Sequence, residues 1–342
     1  NVLGLAEMMN YPGLILGDPG VLAKMEAYAG RPVDGHSPGV SGPWLNAYIA
    51  AGVGSDHECT TVEEAQERLR LGMYVFIREA TGARNLTDLL PAVTPDNSRR
   101  CCFCTDDRHA NDLLDQGHID HLLRAAITLG LEPVTAIQMA TLNTAEWFRL
   151  YDRGAVAPGK RADLVVFGDL LDIQPELVFC GGRLVAKDGK LAGEWLNPPT
   201  GESAVRDTVH VRWDAINEHT FTIPASGSKV RVIGVREGQV VTQHLIESIS
   251  QENGYAVADV ERDILKMAVI ERHQDTGNVG LGFIHGLGLQ AGALAASVAH
   301  DHHNIIVIGV DDRSMLTAAR AVGEMGGGFS VSNYDRVIAA LP

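Results

Sequence analysis

Through the first 150 residues, short apolar runs alternate with segments whose apolar positions recur every three or four residues. That is the pattern of strand–helix units that build a parallel sheet. Residues 3–7 read as a strand ending on Glu7. Residues 18–29 predict a helix with Pro19 in its first turn and Gly30 closing it. Val33-Asp34-Gly35-His36 is a very short strand ending on a histidine, followed by a Ser/Pro/Gly loop. A helix over 42–51 stops at Gly52, and 53–58 reads as a strand ending in Asp56-His57-Glu58. Thr60 or Thr61 caps a helix over 61–71, whose N-terminus suits Glu63 and Glu64. A strand over 73–78, a short helix over 85–90, a strand over 101–105 and helices over 119–129 and 133–149 complete this region.

The ends of the strands carry the chemistry. Five successive predicted strands stop at Glu7, His36, His57, Arg78 and Asp106, and four of these are metal-ligand types. A lone histidine at a strand end is usually a hydrogen-bonded loop residue, and one Asp often caps a helix. Four ligand types in successive units are hard to explain that way, because the C-terminal ends of barrel strands converge on one pocket. Glu, two His and Asp form a mixed nitrogen and oxygen set suited to Zn, Fe or Mn, and a bridging carboxylate suggests two ions.

From Arg153 the texture changes to a turn-rich lead into a strand near 164–167, then a hairpin-like pair over 177–180 and 184–186 around Gly181-Gly182. Beyond it, strands are expected over 229–234, 264–271, 279–284 and 305–310, with helices over 288–298 and 314–324. His300-Asp301-x-His303 has the look of a metal cluster and Gly326 to Gly328 that of a phosphate loop. The glycines lack a Walker lysine or a Rossmann spacing, and the histidine run before a buried strand has a turn or cap as its simpler account.

Composition narrows the partners. At 342 residues, two or three domains are expected. A net charge of −15 argues against nucleic-acid backbones and anionic membranes, while a neutral nucleobase remains compatible. No run of 18 apolar residues occurs, and the first residues lack a basic region or cleavage site. The five cysteines, Cys59, Cys101, Cys102, Cys104 and Cys180, are odd in number and suit a reducing cytoplasm, so a cytoplasmic location is expected.

Several motifs are more specific. Gly154-x-x-x-Pro158-Gly159-x-x-Ala162-Asp163-Leu164-Val165 and Met139-Ala140-Thr141-Leu142-Asn143-Thr144-Ala145 occur with Asp34-Gly35-His36, Ser55-Asp56-His57-Glu58 and Cys104-Thr105-Asp106-Asp107-Arg108-His109. Together they resemble the metal-dependent amidohydrolases and, within them, the bacterial-type adenine deaminases. The resemblance implies an α/β fold: a (β/α)₈ TIM-type barrel of which strands 4–8 are present in 1–150. A β-sandwich return segment follows in 151–200 and a C-terminal α+β domain in 201–342.

The same resemblance implies that metal-activated hydroxide attacks C6 of adenine and that ammonia leaves to give hypoxanthine, a purine-salvage reaction. It implies Glu7 as a bridging carboxylate in place of a carbamylated lysine, with His36, His57 and Asp106 as further ligands. The expected cofactor is two divalent ions, Mn or Fe, with Zn as the other option. Asp106 would also carry the proton from water to the leaving amine. Glu58 would protonate or hydrogen-bond a purine ring nitrogen, and Asp107 would orient its neighbours with Arg108 as surface partner. Adenine is the expected partner, with no nucleic acid and no membrane, in a homodimer or higher homo-oligomer. The unrelated zinc nucleobase deaminases use His-x-Glu with Pro-Cys-x-x-Cys, and neither occurs here.

One departure is plain. The family's first barrel strand carries His-x-His, whereas the sole such triplet here is His300-Asp301-His302. The expectation is a segment of a longer protein that lacks barrel strands 1–3. The other account is that the missing part lies in another chain. Two alternatives stand beside the adenine deaminase reading: an amidohydrolase acting on another nucleobase or cyclic amide, and a non-catalytic module if the missing ligand strand is truly absent.

Overall fold

The computed structural model describes residues 2–193, 207–300 and 302–342. The chain divides into two compact units, Asn1–Asn197 and Pro198–Pro342. No helix among the described residues is long and apolar enough to cross a membrane.

The first unit begins with strand–helix alternation: β1 (Leu5–Met8), α1 (Tyr11–Leu16), α2 (Pro19–Ala27), β2 (Val33–Gly35), α3 (Gly42–Ala50), β3 (Ser55–Asp56) and α4 (Val62–Arg70). It continues with β4 (Tyr74–Arg78), α5 (Leu86–Leu89), β5 (Cys101–Cys104), α6 (Ala110–Asp115), α7 (Ile119–Thr128), α8 (Pro133–Ala140) and α9 (Leu142–Trp147). β1 pairs in parallel with β2, and β3, β4 and β5 pair in parallel in that order. β2 and β3 are drawn together by the Gly54 amide, which donates to the Val33 carbonyl at 3.1 Å. A Cβ on Gly35 would lie 2.3 Å from the Ser55 carbonyl oxygen, so only glycine permits this approach.

The strands are short and apolar because both faces are covered. Met8, Val33, Val53 and Met73 pack with Leu14, Leu45 and Tyr48 from the flanking helices. Val75, Ile77, Cys101 and Phe103 pack with Leu86, Leu89, Leu122, Ala126 and Met139. Leu122, Leu123, Ala126 and Ile127 form the helical stripe that turns α7 inward.

Several boundaries differ from expectation. The long helix over 133–149 breaks at Thr141 into α8 and α9, and Asn143 donates to the Ser98 and Cys101 carbonyls at 2.8 and 2.9 Å, tying α9 to the start of β5. α1 and α6 were not anticipated, since six residues hold too little periodicity to stand out. α1 is instead marked by its cap, Asn10, which accepts the Gly13 amide at 2.9 Å. Thr61, not Thr60, caps α4, in a reciprocal box with Glu64.

Four antiparallel strands close the first unit: β6 (Leu164–Val166), β7 (Leu177–Cys180), β8 (Arg183–Lys187) and β9 (Lys190–Leu191), in that spatial order. Gly181 and Gly182 turn β7 into β8 with φ of 58° and 79°, as a tight hairpin requires.

The second unit contains β10 (Ile223–Pro224), β11 (Lys229–Gly234), β12 (Gln243–Ser248), β13 (Ser250–Glu252), β14 (Tyr255–Val257), β15 (Ile264–Ile270) and β16 (Val279–His285). β17 (Ala293–Ala296), β18 (Ile305–Gly309), α10 (Asp312–Glu324), β19 (Phe329–Asn333) and β20 (Arg336–Leu341) follow. Eight of these strands form one sheet in the order β12-β11-β16-β15-β18-β17-β19-β20, parallel only between β11 and β16. α10 covers it with Met315, Ala318, Ala319 and Val322.

The helix expected over 288–298 is a strand. β17 lies between β18 and β19, with Ala293 and Ala295 buried and Leu294 exposed. Alanine favours helix locally, and the pairing on both edges overrides it. The three glycines form the exit from α10, where the Gly327 amide donates to the Val322 carbonyl and the Gly328 amide to Ser297 Oγ, both at 2.9 Å. Those two amides serve the fold. In the histidine run, His302 Nδ1 accepts the Asn304 amide at 3.0 Å, and the His300 and His303 rings meet edge to face at 5.1 Å. Asp301 lies outside the described residues.

Beneath the strand ends of the first unit lies a wholly buried ion pair. Arg68 Nε on α4 donates to Asp56 Oδ2 at 2.6 Å, and Arg68 Nη2 to the Ser37 carbonyl at 2.8 Å. Asp56 also accepts the Ser37 hydroxyl at 2.5 Å and the Glu58 amide at 3.1 Å. Arg68→Leu leaves that carboxylate buried and uncompensated, and is expected to lower stability by about 3–5 kcal/mol in urea unfolding.

Candidate metal centre

The C-terminal ends of the five parallel strands deliver five polar side chains. Glu7 sits near the end of β1, His36 directly after β2, His57 directly after β3, Arg78 at the last position of β4, and Asp106 two residues past β5. The strands have to be parallel and in this order for residues a hundred positions apart to meet.

Glu7, His36 and His57 each present a donor atom within 4.8 Å of the others, and so do His57, Glu58 and Asp106. His57 Nε2 lies 3.1 Å from Glu7 Oε2, 3.2 Å from Glu58 Oε1 and 4.0 Å from Asp106 Oδ2. His36 Nδ1 lies 3.7 Å from Glu7 Oε1 and 3.5 Å from Glu58 Oε1. The two imidazoles meet at 5.6 Å between centroids.

The electrostatics follow from burial and crowding. Burial alone would depress the His57 imidazolium, but its hydrogen bond with Glu58 and the charges of Glu7 and Glu58 outweigh that and hold it up to about 9. Burial pushes Glu58 up, yet His57 and Arg78 hold it down to about 2. Burial also pushes Glu7 above the usual carboxylate range, and His57 and His36 only partly offset this. Carboxylates and imidazoles crowded together with shifted titration are the kind of cluster that functional sites carry.

All the residues anticipated as ligands or catalysts are brought together. Asp106 is the outlying member, 32% exposed, with its backbone in the left-handed region at φ 50°. Such a conformation is uncommon outside glycine and is tolerated best by Asn and Asp. Arg108 donates to the Gly117 and Glu79 carbonyls at 2.9 and 3.1 Å and to Gln116 Oε1 at 2.6 Å, holding the loop after β5.

Three further residues support the site. Tyr48 on α3 is fully buried; its hydroxyl donates to the Met8 carbonyl at 2.6 Å and accepts the His36 amide at 3.0 Å. It thereby sets the spacing between the strands that carry Glu7 and His36. Arg78, 1% exposed, donates through Nη1 to Glu58 and to Asp106 Oδ2, the latter at 3.0 Å. Asn85 Oδ1 accepts from Arg78 Nε and Nη2 at 3.3 and 3.1 Å and locks the guanidinium. Arg78 had one signal, its place at a strand end among ligand types. Tyr48 and Asn85 had none.

A family model described as the amidohydrolase family matches residues 1–185. The chain belongs to the amidohydrolase family. A second model, the adenine deaminase C-terminal domain, matches residues 239–342. Over 343 residues, adenine deaminase of Desulfatibacillum aliphaticivorans is 52% identical, covering 100% of this chain and 59% of that protein. Adenine deaminase 2 of Carboxydothermus hydrogenoformans is 48% identical over 341 residues, with the same two coverages. The chain thus spans 59% of the length of these curated relatives.

The donors gathered at these strand ends fit a divalent ion. Glu7, His36 and His57 offer one carboxylate and two imidazoles, the mixed set that divalent Mn, Fe and Zn accept. Tyr48→Phe is expected to cost about 1–3 kcal/mol by leaving the Met8 carbonyl and His36 amide unsatisfied. It should also weaken metal affinity about 10–100-fold. Calorimetric titration with Mn or Zn, alongside thermal melts of both forms, checks the two effects separately.

Proposed function

We propose that this chain carries the catalytic strand ends of an enzyme that hydrolyses adenine to hypoxanthine and ammonia. The observation that carries this reading is the convergence of Glu7, His36, His57, Glu58 and Asp106, within a chain 52% identical to a protein named adenine deaminase. We take β1 to β5 as strands 4–8 of a (β/α)₈ barrel within 1–150, 151–200 as the sandwich return segment and 201–342 as the C-terminal domain. The parallel order of β1–β2 and β3–β4–β5, and the single end at which their polar residues meet, support that assignment.

A bound divalent cation supplies a water acidified toward neutrality and so a nucleophile at pH 7. Glu7, His36 and His57 would hold that ion. Asp106 takes the proton of the attacking water and returns it to the amine leaving C6, and a positioned carboxylate can do both in turn. Arg78 fixes Asp106 through Oδ2 and leaves Oδ1 for the transfer. Glu58, kept as a carboxylate by Arg78 and His57, accepts a hydrogen bond from a purine N–H and does not act as an acid. Mn and Fe are the first candidates for the ion.

Ammonia release from adenine, adenosine, cytosine and guanine, with Mn or Fe added, is expected to favour adenine. Equal or better turnover of another base would sink the substrate assignment and favour a different amidohydrolase activity. Asp106→Asn is expected to reduce turnover of adenine at least about 100-fold, with a melting profile close to that of the unaltered protein. Near-normal activity in that variant would remove Asp106 from the proton path.

A further inference from the structure

Asp106 reaches the site from an uncommon backbone shape, the left-handed region at φ 50°. A residue other than glycine keeps such a conformation only where its surroundings over-determine it. Strand pairing does not supply that restraint, because β5 ends at Cys104. The turn that follows β4 does. The Glu79 amide donates to the Cys104 carbonyl and the Thr81 amide to the Asp107 carbonyl, both at 3.1 Å. Asp106 is thus bracketed by two carbonyls that the same neighbouring turn takes up.

Thr81 adds its side chain. Its hydroxyl accepts the His109 amide at 2.9 Å and donates its one proton to Asp112 Oδ2 on buried Asp112. Arg108 also reaches this turn, at the Glu79 carbonyl, but its other bonds go to Gln116 and Gly117 and shape the loop itself. One neutral residue therefore binds the chain at 107, 109 and 112, all just beyond Asp106. Arg78, at the end of β4, holds the carboxylate of Asp106. The end of β4 and its turn grip Asp106 twice, once by its charge and once through its backbone.

We propose that Thr81 is a positioning residue, whose hydroxyl holds the loop after β5 so that Asp106 keeps the turn that aims its carboxylate at the strand ends. Thr81 acts only through the backbone that carries Asp106. A carboxylate displaced by about one ångström still meets substrate but leaves the proton's path, at a cost of up to about 100-fold in rate. The effect therefore belongs in kcat and not in KM. This inference rests on the reading of Asp106 as the proton carrier.

The test compares Thr81→Val, which keeps the shape and loses the hydroxyl, with Thr81→Ser, which keeps the hydroxyl. Hydrogen exchange read by mass spectrometry follows the loop without substrate. Peptides within 105–117 are expected to exchange about 10-fold faster in Thr81→Val and near normally in Thr81→Ser. With adenine, Thr81→Val is expected to lose about 10–100-fold in kcat with KM within about 3-fold, and Thr81→Ser to keep most of the rate. The kcat of Thr81→Val should also fall more steeply in deuterium oxide, because proton transfer through a misplaced Asp106 becomes limiting. A loss that came only from fewer folded molecules would leave that isotope effect as it was. Unchanged exchange or unchanged kcat in Thr81→Val, or equal damage in Thr81→Ser, overturns the proposal. If Thr81→Val fails to fold, Asp112→Ala, which removes the acceptor of the hydroxyl, decides by the same measurements. A normal rate in Asp106→Asn refutes the proton path itself, while the exchange contrast decides separately whether Thr81 anchors the loop.

Discussion

The strand ends keep their places because a charge pair has been taken entirely out of water. Asp56 and Arg68 are both fully buried, and burial of either alone would be strongly unfavourable. Their pairing is completed by Ser37, whose hydroxyl and amide reach Asp56 while its carbonyl accepts from Arg68. The Glu58 amide occupies Asp56 as well. Ser37 follows His36 and Glu58 follows His57, so one buried pair anchors both loops that present imidazoles. The anchor acts through hydrogen bonds of fixed direction, which is why it can specify where a side chain points and not merely that the loops are close.

Around that anchor, the acidic residues divide by their partners. Asp56 faces inward to Arg68 and is structural. Glu58 and Asp106 face Arg78. Glu7 faces the two imidazoles of His36 and His57 and, among the described residues, no arginine. Two arginines from different elements thus engage three of the four carboxylates. Tyr48 adds the last constraint by joining the ends of β1 and β2 through one hydroxyl.

The second unit obeys a different rule. Its sheet is mostly antiparallel and its strands are identified by pairing more than by composition. β17 is the clear case: Ala293 to Ala296 is a poor strand sequence that becomes one because β18 and β19 take up its backbone groups on both sides. The glycine run after α10 likewise has amides turned to Val322 and Ser297, so a motif suggestive of phosphate binding is a helix exit.

Much of the first unit was legible in the chain. Parallel strands covered on both faces must be short apolar runs, and the residue ending each run must lie at one rim, so Glu7, His36, His57 and Asp106 could be named from periodicity alone. Helices of nine or ten residues, such as α2, α4 and α7, carried enough turns to show, while six-residue α1 and α6 did not. What the chain could not disclose was which charges face one another. Arg68, Arg78, Tyr48 and Asn85 lie on helices, strands and loops far apart in sequence, and their roles arise from distances of about three ångströms. Local pattern determines which residue types arrive at the rim; only the packed structure decides their partners, because Coulomb and hydrogen-bond energies depend on separation in space and not along the chain.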